Sequence, residues 1–383
     1  MTEVKTFKDL ENEIIKPEIC SLCGGCVSIC AINNINAIKI SNGKPKFIKS
    51  DEKICLDCGL CYHICPRTAS LDKQLEEVYT YKDSIGAYSK LIWTQTSDPE
   101  ILKVCQDGGI ITSLVKYLLD TKQVDGAIVN VAKSNWESFP MIVTSGEQLL
   151  KSAGTRYSIT PQLEIFQYPK IYSSSDQVED VDMPSIVELL ELSEFDYARL
   201  AFVGCPCHVR TIRKMQIRNI RPATTIKYII GLFCMENFTY TALMKEMLEK
   251  KLKLNLKDIK KVNIKKNFII TLKDNSIKEI PFKEVEEAAR SNCFFCADFS
   301  NIYADISVGG IAAPQNHSTV LVRTEQGKNL FLKALNEGYL IEYKASAEKI
   351  SKLKNRTIKI INRMSNTKIE RASKNLNAVR GSG

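Results

Sequence analysis

Two stretches near the start, CSLCGGCVSIC (Cys20, Cys23, Cys26, Cys30) and CLDCGLCYHICP (Cys55, Cys58, Cys61, Cys65, then Pro66), repeat one pattern: Cys-x-x-Cys-x-x-Cys-x-x-x-Cys. A tight loop of this kind brings three thiolates to one face of an iron–sulfur cube. The fourth, a helical turn further on, reaches a second cube. The spacing therefore predicts one 4Fe-4S cluster on Cys20, Cys23, Cys26 and Cys65, and another on Cys55, Cys58, Cys61 and Cys30. Zinc asks for four ligands in two separated pairs, which these dense runs do not offer. Gly24, Gly25 and Gly59 lie between the ligands, where the backbone must curl around sulfur.

The double run resembles the bacterial-type two-cluster ferredoxins, so residues 1–75 are expected to form a ferredoxin module. Between the runs, AIKISNGKPKFIKSDEK reads as two short strands about Asn42-Gly43. Ala31 stands where many ferredoxins have proline, a residue that shapes the loop and binds no iron.

Fourteen cysteines would suggest disulfides in a small secreted chain. Here the first residues, MTEVKTFKDLENEIIK, lack the apolar core of a signal peptide. The expected setting is the reducing cytoplasm, where thiolates hold metal. No apolar run approaches the roughly 20 residues of a membrane span. The net charge of +9 is carried by residues 344–383, whose eleven Lys or Arg face only Glu348 and Glu370; the rest of the chain balances to zero. Such a tail reads as a solvated helix or disordered end. The sharper reading is a docking arm for an acidic partner or for the inner face of a membrane. It carries no aromatic residue to stack on bases, so nucleic-acid binding is not expected.

Beyond the linker around LDKQLEEVYTYKDSIGAYSK, helical and strand patterns alternate. Short apolar runs (DGAIVNVA, RLAFVGCP, TIKYIIGLFC, ADISVGG, STVLVRT) suit buried strands. QDGGIITSLVKYLLDTK, MPSIVELLELS, PCHVRTIRKMQIR, TYTALMKEMLEKKLK and EQGKNLFLKALNEG read as helices. VNIKKNFIITLKDNSIKEIPF reads as an antiparallel meander. Residues 76–343 are thus expected to form a mixed α/β or α+β domain.

NCFFCADFS contains a single Cys-x-x-Cys pair, Cys293 and Cys296, with no second pair nearby. Ligands of open α/β sheets gather at the carboxyl ends of strands. Cys207 and Cys234 sit at such ends and are the best candidates to complete a third cluster.

These motifs carry a resemblance. CQDGGIITSLVKYLLD, AGTRYSITPQL, FVGCPCHV, GLFCMENF, ARSNCFFCADFSNIYADISVGG and STVLVRTEQG occur in this order. From about Cys20 to Gly338 the chain resembles the family of coenzyme F420 hydrogenase/dehydrogenase beta subunits, above all the ferredoxin-fused F420H2 dehydrogenase input subunits of methanogenic archaea and their relatives. The resemblance implies FAD, a cluster on Cys207, Cys234, Cys293 and Cys296, and reduced F420 (F420H2) as hydride donor. FAD would pass single electrons through three 4Fe-4S clusters to a ferredoxin or a larger redox complex, reversibly in principle. It leaves the catalytic side chain unknown. Gly108 and Gly109, at a helix start whose N–H groups suit a pyrophosphate, are implied flavin residues; so are Gly154, Thr155, Arg156, Tyr157, Gly309 and Gly310. Arg156 offers a positive fork for phosphate. Cys205 is expected to be a small buried strand residue, and Cys105 a structural thiol ahead of a helix that would lower its pKa. His63, His208 and His317 receive no metal role. One departure stands out: Asn316-His317 occupies a position where many relatives have Gly-Trp. It keeps open a reductase of another substrate on the same chassis; a flavin-free iron–sulfur relay is a separate alternative, which bound FAD would exclude.

Overall fold

A computed structural model describes residues 4–33, 35–48, 54–79, 83–167 and 198–381. The helix expected over Met183–Ser193 lies outside these residues. Strands β1 (Ile38–Ser41) and β2 (Lys44–Phe47) form the expected hairpin. Asn42 and Gly43 both adopt positive φ, 52° and 68°, as the two central residues of a type I′ turn must. Each cysteine run turns into a helix through a left-handed glycine: Gly24 precedes α1 (Gly25–Ile32), and Gly59 precedes the single turn Leu60–His63.

The remaining strands, in chain order, are β3 (Lys90–Thr96), β4 (Gly126–Ala132), β5 (Ser138–Val143), β6 (Leu200–Gly204), β7 (Ile226–Leu232), β8 (Ile259–Ile264), β9 (Asn267–Leu272), β10 (Ile277–Pro281), β11 (Ile306–Gly309), β12 (Ser318–Val322) and β13 (Leu340–Glu342). Eight form one mixed sheet in the order β13-β3-β12-β11-β7-β6-β4-β5. Its centre, β4, β6, β7 and β11, is parallel, and its flanks are antiparallel. The central strands are the near-continuous apolar runs of the sequence, as strands covered on both faces must be. Helices α2 (Ile110–Asp120), α3 (Pro206–Ile217) and α4 (Glu325–Asn336) occupy their expected stretches. Thr241–Lys251, read as helical, winds with π-type hydrogen bonding. The expected meander is a separate antiparallel sheet, β10-β9-β8.

The N-terminal module shares one buried cluster with the large domain: Phe7, Leu10, Ile14 and Val27 pack with Leu163, Ile212 and Met215. Polar anchors add to this seam. Lys214, with no side-chain exposure, donates to the carbonyls of Cys65 (2.9 Å) and Thr68 (2.8 Å) and pairs with Asp72. Arg290 donates to the carbonyls of Ser21 and Cys20. Glycine permits close approach. A Cβ on Gly24 would lie 2.9 Å from both the Glu164 amide nitrogen and the Pro161 carbonyl.

The basic C-terminal segment is neither disordered nor freely solvated. It forms the 35-residue helix α5 (Ala347–Gly381), which buries Thr357, Ile361, Ser365, Lys368 and Ala372. Their spacing of three and four residues marks a single helix face. No helix among the described residues is long and apolar enough to cross a membrane.

Candidate iron–sulfur and flavin site

The thiols fall into three neighbouring sets. Burial, then Cys20, Cys23, Cys61 and Cys65, push the Cys26 thiol well up; burial, with Cys23 next, lifts Cys65 to about 12. Burial raises Cys30 and Cys61, and each also feels Cys55 and Cys58. Cys26 also feels Cys61 of the other run, so the thiols of the two runs influence each other. Cys58 is exposed.

The third set forms where β6 and β7 end. Cys205 caps α3, Pro206 takes its first position, and Cys207 follows one residue in. Burial raises Cys207 well above the ordinary range, and Cys23, Cys296 and Cys234 add to it. Cys293 is raised by burial and by Cys234. Asn237 ties the set together: its amide donates to Cys293 Sγ (3.4 Å), and its side chain donates to Cys234 Sγ (3.4 Å). Cys207, Cys234, Cys293 and Cys296 thus come together from distant parts of the sequence.

Two cations are buried with them. Arg67 comes from the N-terminal module and donates to the Asn292 carbonyl. Burial works against its charge, but Cys296, Cys207, Cys293 and Cys65 outweigh this, so it lies between the first and third sets. Lys368 comes from α5; burial again opposes its charge, and Cys296, Cys234, Asp298 and Cys293 overcome it. Cys296 has its pKa lowered, because Lys368 and Arg67 together exceed its burial.

Among the described residues no three Cys, His, Asp or Glu groups meet closely enough to hold a single metal ion. The donor set, four thiols beside two buried cations, suits an anionic group.

One expectation for the remaining cysteines needs correction. Cys205 is a partly exposed cap residue, not a buried strand residue, and its hydrogen bond is the leading cause that raises Cys234. Cys105 follows the short helix Pro99–Val104 and donates to the carbonyls of Leu102 and Asp107. Burial raises its pKa, where a helix start would have lowered it. His208 is buried against the Thr160 carbonyl, and burial lowers its pKa to about 4. His63 meets Ser70, and His317 is half-buried, its Nδ1 against the Gln315 carbonyl and its ring against Tyr343.

A polar cleft of about 290 Å³, lined by Gln95, Leu102, Cys105, Asp107, Lys261, Asn263, Lys265 and Asn316, includes none of the flavin candidates in its lining. Gly310 borders it so closely that a Cβ there would overlap the Asp107 carboxylate, 2.0 Å from Oδ2. Gly309 is pressed likewise against the Phe233 ring. Burial raises the Asp107 pKa, and Lys265 and Lys261 draw it back. The N–H groups of Gly108 and Gly109 are not free: they donate to Ser318 Oγ (3.0 Å) and the Gln106 carbonyl (3.1 Å). Nor is the Arg156 fork open. It donates to the Ala153 and Lys151 carbonyls at the end of a helix and stacks on Trp136. Gly154 turns with φ 85°, Thr155 bonds the Tyr157 side chain, and the Tyr157 hydroxyl accepts from the Ile264 amide.

Around these motifs several buried polar atoms have no protein partner: Gln106 Oε1, Arg156 Nε, Ser158 Oγ, Thr160 Oγ1, Gln162 Oε1 and His208 Nδ1. Orphaned buried groups of this kind call for a ligand or water. The segment fits a large polar cofactor. Sequence reasoning missed Lys261, Asn263 and Lys265, although KKVNIKK places them at alternate positions on one strand face.

For the coenzyme F420 hydrogenase/dehydrogenase beta subunit, the family model of the N-terminal part matches residues 91–167, and that of the C terminus matches 197–348. The coenzyme F420-dependent sulfite reductase of Methanocaldococcus jannaschii is 32% identical over 90% of this chain, which spans half of that protein's length. A component of the F420H2 dehydrogenase of Methanosarcina mazei is 28% identical over 86% of each chain. A chain of the F420-reducing [NiFe] hydrogenase complex from Methanosarcina barkeri superposes with a TM-score of 0.64 at 27% identity, covering 79% of this chain and 96% of that one. The protein belongs to the family of coenzyme F420 hydrogenase/dehydrogenase beta subunits.

Proposed function

We propose that the protein oxidises reduced coenzyme F420 and delivers the electrons singly to a protein acceptor. FAD would supply the exchange between hydride and single electrons, and three 4Fe-4S clusters the onward path. The supporting observation is Arg67, whose buried guanidinium is influenced by Cys65 of the first thiol set and by Cys207, Cys293 and Cys296 of the third. Arg67 follows Cys65 by two residues and donates to the carbonyl of Asn292, next to Cys293, which supports reading the two sets as neighbours.

Each part of the chain has a role in this reading. Cys207, Cys234, Cys293 and Cys296 hold the entry cluster next to the sheet. Cys20, Cys23, Cys26 and Cys65 hold the middle one. Cys30, Cys55, Cys58 and Cys61 hold the exit cluster, beside the exposed Cys58, Leu56 and Ile54. These apolar residues offer a contact for a ferredoxin or a larger redox complex. Lys261 and Lys265 supply positive charge for the phosphates of FAD or F420, while Gly309, Gly310 and the 154–157 turn admit the flavin. Residues 1–75 act as the ferredoxin module and 76–343 as the flavin domain.

Cys293→Ala tests the wiring. The variant should still accept hydride from F420H2 into FAD in a stopped-flow measurement, while viologen reduction falls at least 100-fold. Full viologen reduction would refute the route.

A further inference from the structure

We propose that Lys368 of helix α5 holds a fixed positive charge against the Cys207–Cys234–Cys293–Cys296 centre and thereby raises that centre's reduction potential. The proposal rests on the reading above, that these four thiols hold a cluster.

Lys368 is 1% exposed. Its Nζ donates to the Cys234 carbonyl and, at 2.8 Å, to the Asp298 carbonyl. Both acceptors are neutral backbone groups. Among the described residues no carboxylate lies within ion-pair distance of Nζ; the Asp298 carboxylate is occupied with the amides of Asn301 and Ile302. A buried ammonium without a carboxylate partner is costly unless another anionic group compensates it. The Asp298 carbonyl also accepts from Cys296 Sγ at 3.7 Å, so Lys368 and a thiol of the centre converge on one atom. The Asp298 carboxylate acts on Lys368 from beyond ion-pair distance, and a four-thiolate cluster there would add negative charge beside it.

The helix is seated by contacts to the segments that carry Cys234 and Cys293. Asn375 donates to the Phe294 carbonyl (3.2 Å), between Cys293 and Cys296. Arg371 pairs with Glu236 at 2.8 Å, two residues after Cys234, and stacks on the Phe294 ring. The hydroxyl of Ser84 donates to Asn362 one and a half turns earlier. Helix α5, which looks in sequence like a solvated basic tail, thus delivers one lysine to the candidate redox centre.

Adding an electron makes a cluster more negative, so a nearby cation favours the reduced form. No bond and no proton changes at Lys368. The nearest cations of the first N-terminal set are others, Arg290 and Arg67 at Cys20 and Lys214 at Cys65, so that set should not feel the loss of Lys368.

The test is a potentiometric titration of the anaerobically purified full chain, followed by electron paramagnetic resonance. In Lys368→Gln, or Lys368→Met should the first not accumulate, the third centre should become harder to reduce by on the order of tenfold, about 59 mV for one electron. The other two centres should keep their potentials, and Lys368→Arg should restore the third. A third centre with unchanged potential in the neutral variants would overturn the proposal. So would an equal fall in Asn375→Ala, which loosens the helix without removing charge. A wild-type chain with iron for only two clusters would instead overturn the reading on which the proposal rests.

Discussion

Lys214→Met removes the ammonium that joins α3 to the N-terminal module while keeping most of its apolar stem. Two effects oppose each other. The change strands the carbonyls of Cys65 and Thr68, at about 1–3 kcal/mol each. Asp72 keeps Arg210 at 2.6 Å and is not left alone. Against this, burial and the neighbouring Arg210 hold the Lys214 pKa down from 10.5 to about 8. At about 1.36 kcal/mol per pH unit the folded chain already spends about 3 kcal/mol on that charge. The net loss should therefore be small, about 1–2 kcal/mol in anaerobic denaturant unfolding, although the side chain is fully buried. The local effect should be larger. Hydrogen exchange over residues 65–72 should accelerate markedly, with α2 unchanged as an internal reference. Unchanged protection over 65–72 would show that Lys214 does not fasten the module and would refute the reasoning.

Two further outcomes follow from the geometry. Glu164 packs against Gly24, and burial raises its pKa from 4.5 to about 7. Because the folded chain favours the protonated acid, this contribution is complete below pH 4.5 and is lost as pH rises through about 7; Glu164→Gln should flatten the fall in unfolding free energy across that window by about 2–3 kcal/mol. Lys265→Ala should weaken retention of added FAD about tenfold in equilibrium dialysis, the worth of one charge–phosphate contact, whereas retention equal to the wild type would place the phosphates elsewhere.

The parts of the molecule legible in the sequence are those fixed by local rules. The thiol runs, the Asn42-Gly43 turn and the apolar central strands each carry their signal within a dozen residues. The edge strands were harder. β5 contains Pro140, which local rules discourage in strands, and β13 has only three residues. The buried cations were not legible, because an arginine or lysine in sequence reads as surface. Lys368 is separated from Cys234 by 134 residues, and only the 357, 361, 365, 368, 372 stripe hinted that a face of α5 was buried. The N–H groups of Gly108 and Gly109 illustrate the reverse. A Gly-Gly helix start reads as an open anion cradle until tertiary structure brings Ser318 onto it.

The central claim is conversion of hydride into single electrons, and one anaerobic experiment addresses it directly. The purified chain is assayed for iron and FAD, then mixed with F420H2 and a viologen while flavin and cluster absorbance are followed. The account predicts about twelve irons per chain, the content of three 4Fe-4S clusters, bound FAD, and oxidation of the coenzyme coupled to viologen reduction. Full iron and FAD with no response to F420H2 would contradict it, and would turn attention to the loop at Asn316-His317 and a different hydride donor.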